Sequence, residues 1–101
     1  MEMQTKENAH SDDLAVDRFA DAMKAKLARS RKKGRGGWND KTQCSGEHLA
    51  KLLVEHLEKG NEGTFEDVAN FAMMLHQRGE NTEVLARIAS DNAQQMAAEH
   101  E

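Results

Sequence analysis

The scarcity of β-branched and aromatic side chains is the feature that most restricts how this chain can fold. Among its 101 residues are four valines, one isoleucine, three phenylalanines, one tryptophan and no tyrosine. Such side chains stabilise strands, so a chain of this length with so few of them is not expected to form a sheet. Alanine (fourteen), leucine (eight) and methionine (six) favour helices instead. The sequence therefore predicts an all-α fold.

The supply of large apolar side chains is small for a protein that folds alone. Leu, Ile, Val and Phe together make up about 16% of the residues, below the roughly 20% that marks a self-sufficient globular chain. The length suits one domain. We therefore expect one antiparallel bundle of about four helices, which forms a homodimer through its third or fourth helix to bury more surface.

Apolar spacing and glycines predict the order of the elements. A mobile tail is expected over residues 1–10, followed by a single helical domain over 11–98. A glycine-rich basic loop over 33–44 divides the first helix from the second, which Ser45 caps. The helices are predicted at about 12–32, between Ser45 and Gly60, at about 65–78, and from Thr82 onward. Thr64 and Asp67 fit a capping box at the start of the third helix.

Basic residues are concentrated in one short segment. The net charge of the chain is −4, but residues 24–41 carry +7, which leaves −11 on the remainder. Such a split indicates a polyanionic ligand at one place and repulsion of it elsewhere. A nucleic acid and a nucleoside triphosphate both fit that description.

Oxygen-bearing side chains recur at helical spacing on the second and third helices. Glu55 and Glu58 are three residues apart, as are Asp67 and Asn70, and this spacing makes side chains neighbours on a helix surface. A short connection makes the two helices antiparallel neighbours, so the four groups would converge near it and hold Mg²⁺. In the alternative interpretation the glutamates face solvent, Asp67 caps its helix, and the Asn70 amide bonds a neighbouring helix.

The glycine-rich loop carries the residues that we expect to bind substrate. Arg31, Lys33 and Arg35 surround glycines that let backbone N–H groups approach a phosphate. Trp38 would stack on a base. The same residues would also grip a nucleic-acid backbone. A third interpretation makes the cations a solvated helix end and Trp38 a side chain that pins the loop to the core.

The segment Phe19–Gly79, about 60% of the chain, resembles a family of small tailed-phage proteins. The resemblance lies in the order of six pieces, which are Lys26–Arg29, Lys33–Trp38, Cys44–Ser45, Leu52–His56, Lys59–Gly60 and Asp67–His76. That family is distantly similar to the all-α nucleoside triphosphate pyrophosphohydrolases of the MazG type. The resemblance implies four helices, self-association, Mg²⁺, and cleavage of a nucleotide, such as a deoxypurine triphosphate, to its monophosphate and pyrophosphate.

The resemblance also assigns roles to the acidic residues. Glu55 and Glu58 match the first pair of carboxylates of the MazG-type signature, and Asp67 and Asn70 take the places of the second pair. Glu55, Glu58 and Asp67 would be catalytic and would hold Mg²⁺, with Asn70 as an auxiliary oxygen donor. Because Asn70 cannot supply a carboxylate, the chain is either a pyrophosphohydrolase or a nucleotide-binding relative with a weakened site. The alternative is a non-enzymatic phage accessory protein that binds a host protein or nucleic acid through residues 24–41.

Cysteine content and hydropathy indicate where the protein works. Cys44 is the only cysteine, so no internal disulfide forms and a reducing compartment is expected. No stretch approaches the roughly 18 apolar residues of a membrane span. We expect a cytoplasmic protein, in the host bacterium if a phage encodes it.

Overall fold

The computed structural model describes residues 9–100, with side chains to residue 98, and these residues form four helices. They are α1 (Ser11–Lys32), α2 (Gly46–His56), α3 (Thr64–Gln77) and α4 (Thr82–His100). No strand occurs over 9–100, so the predicted all-α fold of about four helices is confirmed, whereas dimerisation stays a prediction. None of these helices is long and apolar enough to cross a bilayer. Most of the predicted mobile tail, residues 1–8, lies outside the described residues.

Two helix ends follow directly from local sequence. The Ser45 hydroxyl accepts a hydrogen bond from the His48 backbone N–H at 3.0 Å, which confirms it as the cap of α2. Gly34, with φ 82°, follows the last turn of α1. At the other end of α1 the N-cap is His10, whose Nδ1 accepts from the Asp12 N–H at 2.9 Å.

The predicted capping box at the start of α3 is wrong. Gly63, with φ 91°, is the N-cap, and no side chain caps this end. The Thr64 hydroxyl donates backward to the Asn61 carbonyl at 2.7 Å, and the Asp67 carboxylate pairs with Lys26 at 3.2 Å. Glycine is favoured at residue 63 because φ is positive; a Cβ there would lie 3.0 Å from the flexible end of the Lys26 side chain.

The hydrophobic core lies between α2 and α3. Its buried side chains are Leu49, Ala50 and Leu53 from α2 and Met74 and Leu75 from α3. Helix α2 packs against both α3 and α4, whereas α1, within the described part of the chain, packs against α3 alone. The four helices are therefore joined in the spatial order α1, α3, α2, α4.

Helices α1 and α2 both run antiparallel to α3. In α1, Met23 lies opposite Asn70 and Lys26 opposite Asp67, so rising numbers in one helix meet falling numbers in the other. The start of α2 lies near the end of α3, where the Cys44 carbonyl meets Arg78. Helices α1 and α2 therefore point the same way without packing together, and the loop over 33–45 returns along the gap between them.

We predict that Leu49→Ala lowers the free energy of unfolding by about 2–5 kcal/mol, because it leaves a cavity in the core. Leu49 is only 2% exposed. Leu57→Ala is the matched control, since Leu57 is 57% exposed and its truncation removes little packing. Urea unfolding followed by circular dichroism measures both. Equal losses from the two variants would contradict this placement of the core.

Candidate anion-binding cleft

The gap between α1 and α2 forms a cleft of about 1250 Å³. Its walls come from the segments 26–40, 44–59 and 67–74, and we call it the loop–helix cleft. It exists because α1 and α2 each pack on α3 and not on each other. Its volume is above the roughly 300–1,000 Å³ of typical small-molecule pockets, so a small molecule would not fill it.

The loop–helix cleft is strongly cationic although the chain is acidic overall. Its carboxylates are Asp40 and Asp67, and its cations are Lys26, Arg29, Arg31, Lys33, Arg35 and Lys59. Three further cations of the basic segment lie outside it, namely Lys24, Lys32 and Lys41. The fold therefore gathers most of the positive charge of residues 24–41 around one concave surface.

The four predicted substrate-binding residues all line this cleft. Arg31, Lys33 and Arg35 are exposed on its rim, and none of the three has a carboxylate partner among the residues that the structure describes. Trp38 is half-buried, packs against the core and also lines the cleft. Its position is consistent both with a base-stacking role and with pinning the loop.

Asn70 lies in the cleft wall and ties α1 to α3. Its side-chain Nδ2 donates to the Met23 carbonyl at 3.2 Å, so the interpretation that this amide bonds a neighbouring helix is confirmed. The residue is only 5% exposed. Within residues 9–98 its Oδ1 has no hydrogen-bond partner, an arrangement that is uncommon for a buried polar atom.

The predicted Mg²⁺ donors are not brought together. Asp67 and Asn70 line the cleft, but Glu55 and Glu58 are exposed and lie outside it. Glu58 Oε1 accepts from Asn92 of α4 at 3.1 Å, and the Asp67 carboxylate pairs with Lys26. The described residues contain no group of three or more His, Cys, Asp or Glu side chains that could hold a metal ion. Mg²⁺ does not fit this arrangement, and its binding stays a prediction.

His56 belongs to the cleft, although it was not among the predicted site residues. Its Nδ1 lies 2.7 Å from the Leu52 carbonyl; because a carbonyl only accepts, Nδ1 carries the proton. Its Nε2 lies 3.4 Å from Lys59 Nζ and 4.0 Å from an Asp67 oxygen. His48, Leu52 and His56 follow one another at four-residue intervals, which places them on one face of α2. This spacing is the feature of the sequence that indicates His56 as a cleft residue.

Arg78 is the second residue that sequence reasoning missed. Its Nη1 donates to the carbonyls of Trp38 and Cys44, and its Nη2 pairs with Glu80. In the sequence it is a basic residue in the last turn of a helix, which ordinary dipole compensation already explains. Nothing local marks it as the partner of a loop that lies more than thirty residues earlier.

A local turn fixes the chain just beyond Trp38. The Asp40 carboxylate accepts from the Thr42 hydroxyl at 2.6 Å and from the Thr42 backbone N–H at 2.9 Å. The hydroxyl bond, more than the backbone bond, lowers the pKa of the Asp40 carboxyl.

Comparisons with models of protein families, with curated proteins and with solved structures find no match to this chain. A function is therefore inferred from the geometry of the cleft.

We predict that Thr42→Val raises the pKa of Asp40 toward its ordinary value, because valine keeps the backbone bond and loses the hydroxyl bond. A lowered pKa means that this turn stabilises the fold above the unfolded-state pKa and that the contribution is lost as the pH falls through the folded-state value. Acid titration of the carboxyl carbon shift by NMR measures it. Thr64→Val is the control, since its hydroxyl bonds Asn61 instead; an unchanged Asp40 titration in Thr42→Val would refute the assignment.

Proposed function

We propose that the protein binds a deoxynucleoside triphosphate in the loop–helix cleft, as a nucleotide-binding protein of the MazG-like type. One observation carries the proposal. The predicted phosphate-binding cations, the only tryptophan and the residues Asp67 and Asn70 line a single cleft. These residues are up to about forty positions apart in the sequence, so their common location was not given by any one motif.

The two chemical halves of a nucleotide have matching surfaces in the cleft. The half-buried side chains of Leu52, Phe71 and Trp38 contribute apolar lining, which suits a planar base. The rim carries Arg31, Lys33 and Arg35, which have no carboxylate partner among the described residues, next to Gly36 and Gly37, whose N–H groups make no backbone hydrogen bond there. Cations and backbone donors together are the usual means of binding phosphate.

The distribution of cations favours a small anion over an extended one. Five of the eight cations in residues 24–41 line the cleft, and three do not. A nucleic acid would be expected to use charges along an extended surface, whereas a triphosphate needs them in one place. The cations outside the cleft are nonetheless exposed, namely Lys24, Lys32 and Lys41. Because exposed cations can contact a phosphate backbone, nucleic-acid binding is the second candidate function.

Pyrophosphohydrolysis is the reaction that the resemblance implies for such a ligand. Water attacks the α-phosphorus, the bond to the bridging oxygen breaks, and the monophosphate and pyrophosphate leave. Of the carboxylates predicted for this reaction, only Asp67 lies in the cleft, and it is paired with Lys26. The geometry of one chain therefore supports binding more directly than hydrolysis, and the two are tested separately.

We predict that Arg31→Ala, Lys33→Ala and Arg35→Ala each weaken deoxynucleoside triphosphate binding, by about tenfold where the cation hydrogen-bonds a phosphate. Lys41→Ala is the matched control, because Lys41 belongs to the same basic segment but lies outside the cleft. Calorimetric titration with the four deoxynucleoside triphosphates, with Mg²⁺ and with a chelator, measures the affinities.

Two results would contradict the binding proposal. One is the absence of binding by the wild-type protein to all four nucleotides under both conditions. The other is an equal loss from Lys41→Ala and the cleft variants, together with binding of long nucleic acids that weakens steeply with salt. That second result would support the nucleic-acid candidate instead.

Hydrolysis has its own test. If the protein is a pyrophosphohydrolase, it releases pyrophosphate from a deoxynucleoside triphosphate in the presence of Mg²⁺, and Asp67→Asn, which alters the predicted carboxylate that lines the cleft, abolishes the release. Binding without pyrophosphate release from any of the four nucleotides would remove the hydrolase and retain the nucleotide-binding protein.

A further inference from the structure

We infer that Arg78 is a positioning residue, which holds the glycine-rich loop so that Trp38 stays at the cleft. The role in ligand binding rests on the function proposed above. The inference that Arg78 holds the loop does not rest on that function, because it can be measured in the protein without nucleotide.

The contacts of Arg78 connect two points of the loop to the end of α3. Nη1 donates to the Trp38 carbonyl at 2.6 Å and to the Cys44 carbonyl at 2.8 Å. Nη2 lies 2.8 Å from a Glu80 carboxylate oxygen. The Arg78 side chain is only 2% exposed, so these contacts are shielded from water. Both hydrogens of Nη1 are used, and each is given to a carbonyl of the loop.

Burial makes this arrangement specific and costly to disturb. A hydrogen bond from a charged donor contributes more than a neutral one, and a buried acceptor that loses its donor is destabilised further. The Glu80 carboxylate supplies the compensating charge that a buried guanidinium needs. Glu80 is itself confined, because its carboxylate lies against Gly46, where an added Cβ would collide with it.

The hydrogen bonds within the loop are local, such as those to Asp40, whereas among the described residues the bonds that join segment 38–44 to α3 come from Arg78. Residues 33–45 form turns and irregular backbone rather than a helix, and glycines at 34, 36 and 37 widen the conformations open to it. The two carbonyls that Arg78 binds bracket the segment 38–44, and both Trp38 and Cys44 line the cleft. Ordering this segment in advance lowers the entropy lost when a ligand binds.

Lysine cannot replace arginine in this role. The guanidinium offers donors in a fixed planar fork, and here its two Nη atoms serve three acceptors. A lysine side chain keeps the charge, but its ammonium is a single group on a flexible chain and lacks the fixed fork of donors. Arg78→Lys therefore separates the geometry of the contact from its charge.

Trp38 provides a direct readout, because it is the only tryptophan and the chain has no tyrosine. In the protein without nucleotide, we expect Arg78→Lys and Arg78→Met to shift Trp38 emission to longer wavelength, lower its anisotropy and increase quenching by iodide or acrylamide. Both variants should bind the preferred nucleotide about tenfold more weakly or worse. Arg87→Lys is the matched control, since Arg87 is an exposed arginine 3.8 Å from Glu47 and should change neither measurement.

The outcomes separate the possible failures. Unchanged Trp38 emission, anisotropy and quenching in both variants would overturn the hold on the loop. Changed fluorescence with unchanged affinity would overturn the positioning role. If the wild-type protein binds no nucleotide, the proposed function and the positioning role both fail, while the fluorescence still decides whether Arg78 holds the loop.

Loss of fold is checked by far-ultraviolet circular dichroism. Should Arg78→Met lose its helices, Arg78→Lys and Glu80→Gln decide the question, because each keeps a polar side chain of similar size. Glu80→Gln removes the compensating charge and should move Trp38 fluorescence in the same direction by a smaller amount. If both Arg78→Lys and Glu80→Gln are folded and neither changes Trp38 fluorescence, the inference is also overturned.

Discussion

The attachment of α1 to α3 alone is the constraint on which the rest of the structure depends. The chain has few large apolar side chains, and within its described part the fully buried cluster comes from α2 and α3, while α1 and α4 add partly buried side chains such as Leu27 and Leu85. Helix α1 is held instead by partly buried packing, the Asn70 amide and the Lys26–Asp67 pair. The space left between α1 and α2 is therefore open, and it becomes the cleft.

The sequence was informative wherever the relevant interactions are local. The helices, the Ser45 cap and the glycine-rich loop follow from residues within a few positions of one another, and the structure has them at nearly the predicted places. The concentration of cations was likewise visible in the sequence. Its arrangement around a concave surface follows from the parallel course of α1 and α2, which no local pattern encodes.

Side-chain direction and long-range partners could not be predicted in the same way. Three-residue spacing places Glu55 beside Glu58, but it does not show in which direction that face of α2 points. Because α2 packs between α3 and α4, the face that carries the two glutamates is turned away from the cleft. The Thr64–Asp67 pattern fitted a capping box, yet Lys26 takes the carboxylate. Arg78 finds its partners some forty residues away, a distance at which sequence patterns carry no information about contact.

The parallel course of α1 and α2 also sets a minimum length for the segment that joins them. Helix α2 is 11 residues long, about 16 Å at the usual rise, and the connection has to travel back along it before α2 can begin. Geometry thus sets a lower limit on the length of residues 33–45, and it leaves much of their composition unrestricted. An insertion there would lengthen the loop without moving the helices. A deletion of several residues would pull α1 away from α3 and remove the cleft.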